Sequence, residues 1–425
     1  MMTNKTSHTF RAFKNRNYRL FFFGQSISRV GTWMERTAVS WVIYSLTHSP
    51  LMLGLAVFCQ QFPSFLLSLF GGIVSDRHNR YKILLITQTA SMIQAALMTL
   101  LIFSGHYQVW EILGLGMVLG IVNAFDVPAR QPMVHDMVNE PADLANALAL
   151  NAAMVNLARL VGPALSGIIL QQFGAGFCFG LNTLSFLAVL TSLLLMKMPA
   201  FHPTAEKKKV TAELKEGFHY LKNTPAIAHT ILVLTLVSFL VLPYDTLIPV
   251  FAKVVFKGDA ATFGYISSFM GLGAICGTLF LASLRKGANL KNVLFFNTIA
   301  LGIGLILFSH TANFYLAMVF AMIACFGAMT QNTVCITMIQ IEADQRMRGR
   351  MMSYVALSYF GMLPLGSLLI GAVSQRIGAP NAMLIQGIIA LVIAVSFFNL
   401  FRKDRVTEQT IVPLERAEEL VAEPH

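Results

Sequence analysis

The sequence predicts an all-α integral membrane protein with twelve transmembrane helices in two pseudo-symmetric six-helix bundles. Three observations predict it. Of the 425 residues, 56% are hydrophobic and only 12% are charged, whereas a soluble domain carries about 25% charged residues. Apolar runs of about 18 residues or more, long enough to cross a bilayer, recur from end to end. The second half of the chain also repeats the layout of the first at an offset of 210 residues.

The runs fall near 18–45, 51–74, 83–104, 109–133, 145–171, 177–197, 227–251, 262–284, 292–310, 313–338, 351–375 and 380–401. A bilayer core about 30 Å thick takes about 20 helical residues. Strands of a membrane barrel need only about 10 alternating residues, and these runs are longer and evenly apolar. Helices satisfy their own backbone groups in lipid, so helices are expected. The basic stretch from Lys5 to Arg19 ahead of the first run resembles the start of a signal peptide. The run after it is too long and lacks a small-residue cleavage site, so it reads as a retained first span.

Spans two and three are joined by GGIVSDRHNRYK, residues 71–82, where Asp76, Arg77, Arg80 and Lys82 crowd into seven positions. Its bases help to fix topology, but an acid adds little to topology, so Asp76 calls for another reason. The longest break is 198–226, within which KKKVTAELKEGFHYLKNTP reads as a basic amphipathic helix along the inner membrane surface. The expected organisation is therefore an N-terminal six-helix half, 1–197, a cytoplasmic linker, 198–226, and a C-terminal six-helix half, 227–402. The remaining 403–425, with Glu415, Glu418, Glu419 and Glu423, is a polar acidic tail expected to be disordered.

The repeat is visible when Gly54 is set on Gly264: the loop Arg77–Lys82 then falls near Arg285–Lys291. Transporters are commonly built from two such parallel halves. The net charge of +11 is unevenly spread. With the N-terminus inside, 24 of the 31 lysines and arginines lie in or beside cytoplasmic segments, four lie within helices and three (Lys253, Lys257, Arg376) lie outside. The positive-inside rule thus puts both termini in the cytoplasm. This distribution makes a nucleic-acid partner unnecessary. The cysteines (Cys59, Cys178, Cys276, Cys325, Cys335) sit in apolar runs without metal or redox spacing and read as small packing residues. Gly116/Gly120 and Gly273/Gly277 read as helix contacts rather than dinucleotide loops, since no strand precedes them.

The stretch Gly72-x-x-x-Asp76-Arg77-x-Asn79-Arg80-x-Lys82 resembles the G-x-x-x-D-R-x-G-R-R/K signature of the major facilitator superfamily. It departs at Asn79, where that signature has glycine, and at Tyr81, where it has a base. After glycine, Asn is among the residues that best tolerate the left-handed conformation, so the turn is expected to persist. Ala158-x-x-x-Gly162-Pro163-x-x-Ser166-Gly167 resembles the superfamily's antiporter motif. Residues 17–50, FDVPARQ at 125–131, NLARLVGP at 156–163 and RMRGRMMS at 346–353 resemble the bacterial drug and siderophore exporter branch, which includes enterobactin and macrolide exporters. The resemblance implies a conformational latch: Asp76, Arg80 and Asp136 in a charge relay with the start of span eleven, Met351 to Ser353. It also implies that spans one and seven line a central cavity.

Ionisable residues inside spans are functional candidates by default, and seven stand out: Arg29, Glu35, Arg36, Asp126, Arg130, Arg159 and Asp245. Several of them can instead be structural pairs. Asp126 and Arg130 are one turn apart, a spacing that suits an ion pair, with Pro128 between them. Arg29 and Arg36 share a helix face. The offset of 210 that aligns the glycines also sends Glu35 to Asp245, so these acids occupy equivalent places in spans one and seven. Arg36, or Arg29, is the expected cationic neighbour of Glu35, and Asp245 has no cation in its own span. Glu35 is favoured as the coupling site and Asp245 as a substrate or gating residue, although Asp245 also reads as an interfacial residue near the outer loop. Gly162 and Gly167 allow close packing, and Pro163 bends span five, with Pro364 suggesting a matching bend in span eleven.

The leading reading is a proton-coupled exporter in the bacterial inner (plasma) membrane, moving a hydrophobic drug, macrolide-like compound or siderophore by alternating access. Uptake or lysophospholipid flipping on the same fold is the alternative, and a membrane sensor without transport is more remote. HExxH, G-x-S-x-G, P-loop and paired His/Asp patterns are absent from the sequence, so no enzyme, catalytic residue, metal or cofactor is expected. The expected partners are a small-molecule substrate, protons as coupling ion and the lipid bilayer, and the chain is expected to be a monomer.

Overall fold

The computed structural model describes residues 10–138, 140–198, 210–285, 287–398 and 400. The tail after Arg402 and most of the linker before Val210 lie outside the described residues. Among the described residues twelve long helices follow in order. Span one is Arg16–Thr47, span two Pro50–Arg77, span three Arg80–Phe103, span four Val109–Met133, span five Pro141–Phe173 and span six Ala175–Leu194. A linker helix, Val210–Asn223, precedes span seven, Pro225–Val255. Span eight is Ala260–Ser283, span nine Leu290–His310, span ten Phe314–Glu342, span eleven Arg348–Ile377 and span twelve Ala379–Phe398.

Among the described residues, eleven helices are long and apolar enough to cross a membrane. Span one is not among them, because Arg19, Arg29, Glu35 and Arg36 dilute its apolar content. It is nevertheless 32 residues long, about 48 Å at about 1.5 Å per residue, and it packs lengthwise on spans five and six. At most half of each apolar window is buried by protein. The remaining faces expose Ile86, Leu100, Phe103, Trp110 and Leu194. Helices this apolar on all sides need lipid as their solvent.

The helix ends follow local chemistry. Ser49 caps span two ahead of Pro50, accepting from Met52 N at 3.4 Å. Asn79 caps span three and Asn289 caps span nine, each accepting from two backbone N–H groups. These two caps are 210 residues apart, so the repeat extends to the way equivalent helices begin. Spans five and eleven both end on a glycine with positive φ, Gly174 at +84° and Gly378 at +85°, the conformation that stops a helix at little cost only for glycine.

Spans one to six form one bundle, through contacts of span one with five and six, span two with four, and span three with four and six. In the second bundle, span ten packs on eight and nine, and span eleven on seven. The bundles meet chiefly along two seams, span two against eleven and span five against eight. The repeat places glycines in both. A Cβ on Gly54 would lie 2.3 Å from Ser367 O in the first seam, and one on Gly264 would lie 2.5 Å from Pro163 O in the second. Only residues without side chains let helix backbones come this close.

Both seams lie toward the end of the molecule that carries Ser49, Lys253 and Gln375. Ser49 Oγ donates to Gln375 Oε1 at 2.8 Å, and Lys253 Nζ to Ser45 Oγ at 3.4 Å. The opposite end carries the basic loops, and is called the basic end below. Among the described residues the ion pairs there stay within a half or reach it from the linker: Arg11 pairs with Glu140 and Asp143, and the linker helix meets span eleven through a Glu216–Arg350 ion pair. Among the described residues the molecule is thus closed at the far end and parted at the basic end.

Candidate functional site

At the basic end, Arg80 opens span three and reaches both acids expected beside it. Its Nη2 is 3.8 Å from Asp76 Oδ1, and its Nη1 is 3.9 Å from Asp136 Oδ2. These are Coulombic contacts, too long for hydrogen bonds. The Asp76 side chain is 69% exposed. Among the described residues no hydrogen bond or ion pair joins it to Met351–Ser353, as befits halves parted at this end. Asn79 is not left-handed, contrary to expectation: its φ is −62° and ψ 110°. Its side chain caps span three, a task that uses extended backbone and that glycine cannot perform.

Inside the first bundle lies a second polar cluster. Glu35 is 2% exposed and accepts from Gln94 Nε2 at 3.3 Å and from Asn182 Nδ2. It therefore faces spans three and six, not the space between the halves. Arg36 does not serve as its cation. Successive helix residues point about 100° apart, so Glu35 and Arg36 cannot both face the same partner. Among the described residues no cation stands within ion-pair distance of Glu35. Asp126, 1% exposed, pairs with Arg130 despite the intervening Pro128 and accepts from Thr87 Oγ1 and Gln88 Nε2 at 2.9 and 2.8 Å. Arg29 lies near enough to Arg130 for mutual repulsion, and its buried Nε has no hydrogen-bond partner.

The third cluster bridges the halves. Arg36 Nη2 stands 3.7 Å from Asp245 Oδ2, both side chains about two-fifths exposed at 39% and 40%. Asp245 thus has its cation in span one, across the interface. The guanidinium groups of Arg36 and Arg159 lie over the Trp33 ring at 5.3 and 5.6 Å. Gly162 makes room for that ring, since a Cβ there would come within 2.5 Å of Trp33 Cβ. Arg159 donates to Met329 Sδ at 3.2 Å and Cys325 Sγ at 3.4 Å. Tyr244, Asp245 and Tyr359 complete its electrostatic surroundings.

Irregular backbone builds the second half's side of this cluster. Span seven is α-helical to Leu240, tightens to 3₁₀ over Leu242–Leu247, and widens to a π turn over Phe251–Val255. Pro243 and Pro249 explain the break, since neither can donate to the helix ladder. Tyr244 and Asp245 sit within it. Span eleven carries a π turn at Leu357–Gly361, just ahead of Pro364, and Tyr359 sits in that turn. Broken helices near mid-span are typical of transporter binding sites. A separate cleft of about 440 Å³ between spans one and six is lined mainly by Leu20, Phe23, Ile27 and Leu195 and holds none of these charges.

Comparison with known proteins decides the family. The model of the major facilitator family described as transmembrane secretion effector matches residues 7–424. The chain belongs to this family. It is 26% identical over 390 residues to a staphyloferrin A transporter of Staphylococcus aureus, covering 91% of this chain and 96% of that protein. An enterobactin exporter of Shigella boydii is 25% identical over 393 residues, covering 89% and 92%. A macrolide efflux protein A of Streptococcus pyogenes is 20% identical over 390 residues, covering 90% and 96%. Among solved structures, a bacterial homologue of the lysosomal transporter Spinster, inward-facing and unoccupied, superposes with a TM-score of 0.69 at 15% identity, covering 90% and 96%. A POT family transporter superposes at 0.73 with 14% identity, covering 92% and 96%. The fold is that of the superfamily, and the protein is a membrane transporter rather than an enzyme.

The ionisable residues of the family member's three clusters were visible in its sequence, but many of their partners were not. Cys325 read as a packing residue, and Trp33, Tyr244, Met329, Tyr359 and the amides Gln94 and Asn182 were not singled out. Pro243 and Pro249 flanking Asp245 were the available signal for a broken helix there.

Proposed function

We propose that the protein is a proton-coupled exporter of an amphiphilic small molecule. It rocks a half formed by 1–197 against one formed by 227–402, with both termini and the 198–226 linker in the cytoplasm. The basic end is then the cytoplasmic end, and the present conformation opens inward. Asp76, Arg80 and Asp136 form a latch that holds the cytoplasmic end closed in the opposite state. Efflux rather than uptake is supported by the staphyloferrin A, enterobactin and macrolide relatives, all distant.

One observation carries the coupling role of Glu35. Its carboxyl is buried among amides, and Gln94 Oε1 beside it is a buried acceptor with no partner. An amide N–H serves a carboxylate, and an amide oxygen accepts from a carboxylic acid. The site can therefore hold Glu35 without its proton as it stands, and with it once the Gln94 amide turns its oxygen to the carboxyl, without a cation that must be displaced. Asp126 also sits beside an unpartnered amide oxygen, that of Gln88, but it is tied to Arg130.

The test uses the full chain reconstituted in vesicles with an imposed pH gradient and a panel of staphyloferrin A, enterobactin and a macrolide. The native protein is expected to move one of them against its gradient. Glu35→Gln is expected to bind that substrate and to lose pH-driven accumulation. Full pH-driven transport by Glu35→Gln would remove it from the coupling role and make Asp126 the next residue to test.

A further inference from the structure

We infer that the cluster between the halves is a site for an organic polyanion, with Arg159 and Arg36 receiving its anionic oxygens and Trp33 its planar or apolar part. This deepens the export reading and rests on it for the ligand's passage across the membrane.

The charge balance argues for an anion. Two guanidinium groups, Arg36 and Arg159, face one carboxylate, Asp245. Among the described residues no carboxylate lies within ion-pair distance of Arg159. Its hydrogen bonds go to two sulfurs, Met329 Sδ and Cys325 Sγ. Thioether and thiol sulfurs are weak acceptors, whereas a guanidinium offers a planar fork of donors matched to a carboxylate. An anionic oxygen at this place would outcompete both sulfurs. Beside its place over the Trp33 ring, Arg36 has one long ionic contact, to Asp245 at 3.7 Å and about two-fifths exposed. That is a loose pair that a second anionic group can replace.

The remaining walls suit an amphiphile. Trp33 has both guanidinium groups over its ring, at 5.3 and 5.6 Å, which gathers the two anion-receiving positions around one aromatic side chain. Tyr359 comes from the irregular turn of span eleven and Tyr244 from the broken part of span seven. Residues of spans one, five, seven, ten and eleven thus converge, and both halves contribute. A ligand bridging Arg36 and Arg159 on one side and the span seven and eleven turns on the other would be gripped across the moving interface. A cationic amine would meet two like charges and only the already paired Asp245. A polycarboxylate or polyphenolate chelator fits, and a basic macrolide does not.

Equilibrium binding without any gradient tests the site separately from coupling. The probes are metal-free staphyloferrin A, enterobactin, citrate and erythromycin. The protein is the full chain in nanodiscs with Trp41→Phe and Trp110→Phe, leaving Trp33 as its one tryptophan. Staphyloferrin A or enterobactin is expected to change Trp33 emission saturably, with citrate competing at higher concentration and erythromycin not competing. Arg159→Gln is expected to weaken binding about tenfold or more, and Arg159→Lys to restore part of it. Asp245→Asn removes the competing acid and is expected to tighten binding several-fold, a gain that misfolding cannot mimic. No saturable binding by any of the three anions, equal affinity in Arg159→Gln, weaker binding in Asp245→Asn, or displacement by erythromycin would each overturn the inference. Absence of pH-driven transport by the native protein, with anion binding intact, would instead count against the coupling reading alone.

Discussion

Glu35 and Arg36 are neighbours in the chain, and the helix turns them toward different tasks. Glu35 faces the amides of spans three and six, and Arg36 faces Asp245 in the other half. Their separation suggests how a proton site and a ligand site can sit on one helix without one ligand or one proton quenching both. The Asp126–Arg130 pair, by contrast, is enclosed in one bundle, and burial makes it costly to break. Removing one member of a buried pair costs about 3–5 kcal/mol, whereas replacing both by apolar groups is often neutral. Asp126→Ala is therefore expected to lower thermal stability in detergent clearly, by about that free energy. Asp126→Leu with Arg130→Met is expected to recover most of it. A double variant as unstable as the single one would mean that Thr87 and Gln88, left without Asp126, dominate the loss. The ionisable members of these clusters were legible in the sequence because charge is rare in apolar runs. Their pairing was not, because it depends on how each helix is rotated about its axis. The expected Glu35–Arg36 pair failed for that reason: one residue of sequence separation is a third of a turn in space.

At the scale of elements, the spans themselves were legible nearly to their ends, because length and apolarity set them directly. What composition could not reveal was where a helix changes its winding. Span seven looked like one apolar run, yet Leu242–Leu247 is tightened between prolines and carries Asp245. The equivalence of Glu35 and Asp245 by offset therefore holds in the chain but not in their surroundings, since one lies on a regular helix and the other on a broken one. The glycine equivalence does extend to packing. Gly54 and Gly264 occupy matching places in the two seams, and each backs directly on a backbone carbonyl. Gly264→Leu is thus expected to wedge spans five and eight apart at the far end. The closed far end seen here should become less populated, and single cysteines placed along that seam should label faster with a thiol reagent. Transport should fall while the protein still reaches the membrane. Unchanged labelling along the seam would mean that the two spans repack around the added side chain.

In the proposed cycle the whole molecule alternates between closing at one end and closing at the other, and the free energies that bias it need only be small. Here the far end is closed by both glycine seams and by the Ser49–Gln375 and Ser45–Lys253 hydrogen bonds. Among the described residues, the ion pairs at the basic end stay within a half or between a half and the linker. The proposed latch gives Asp76 a second partner, the N-terminus of span eleven, when that end closes. A carboxylate near a helix N-terminus gains about 0.3–1 kcal/mol at an exposed site, enough to shift a two-state population by about two- to fivefold. A cysteine pair, Ser49→Cys with Gln375→Cys, reports the population directly when the five native cysteines are replaced. A short bifunctional thiol reagent is expected to join the pair readily in the present conformation, and the joined protein should no longer transport. Adding Asp76→Asn weakens the latch, so the state closed at the far end should gain population and the initial cross-linking rate should rise, by up to about that factor. If the joined protein transports at the full rate, the far end does not open during the cycle. If Asp76→Asn slows cross-linking, the acid stabilises the conformation seen here, and the latch works in the opposite sense.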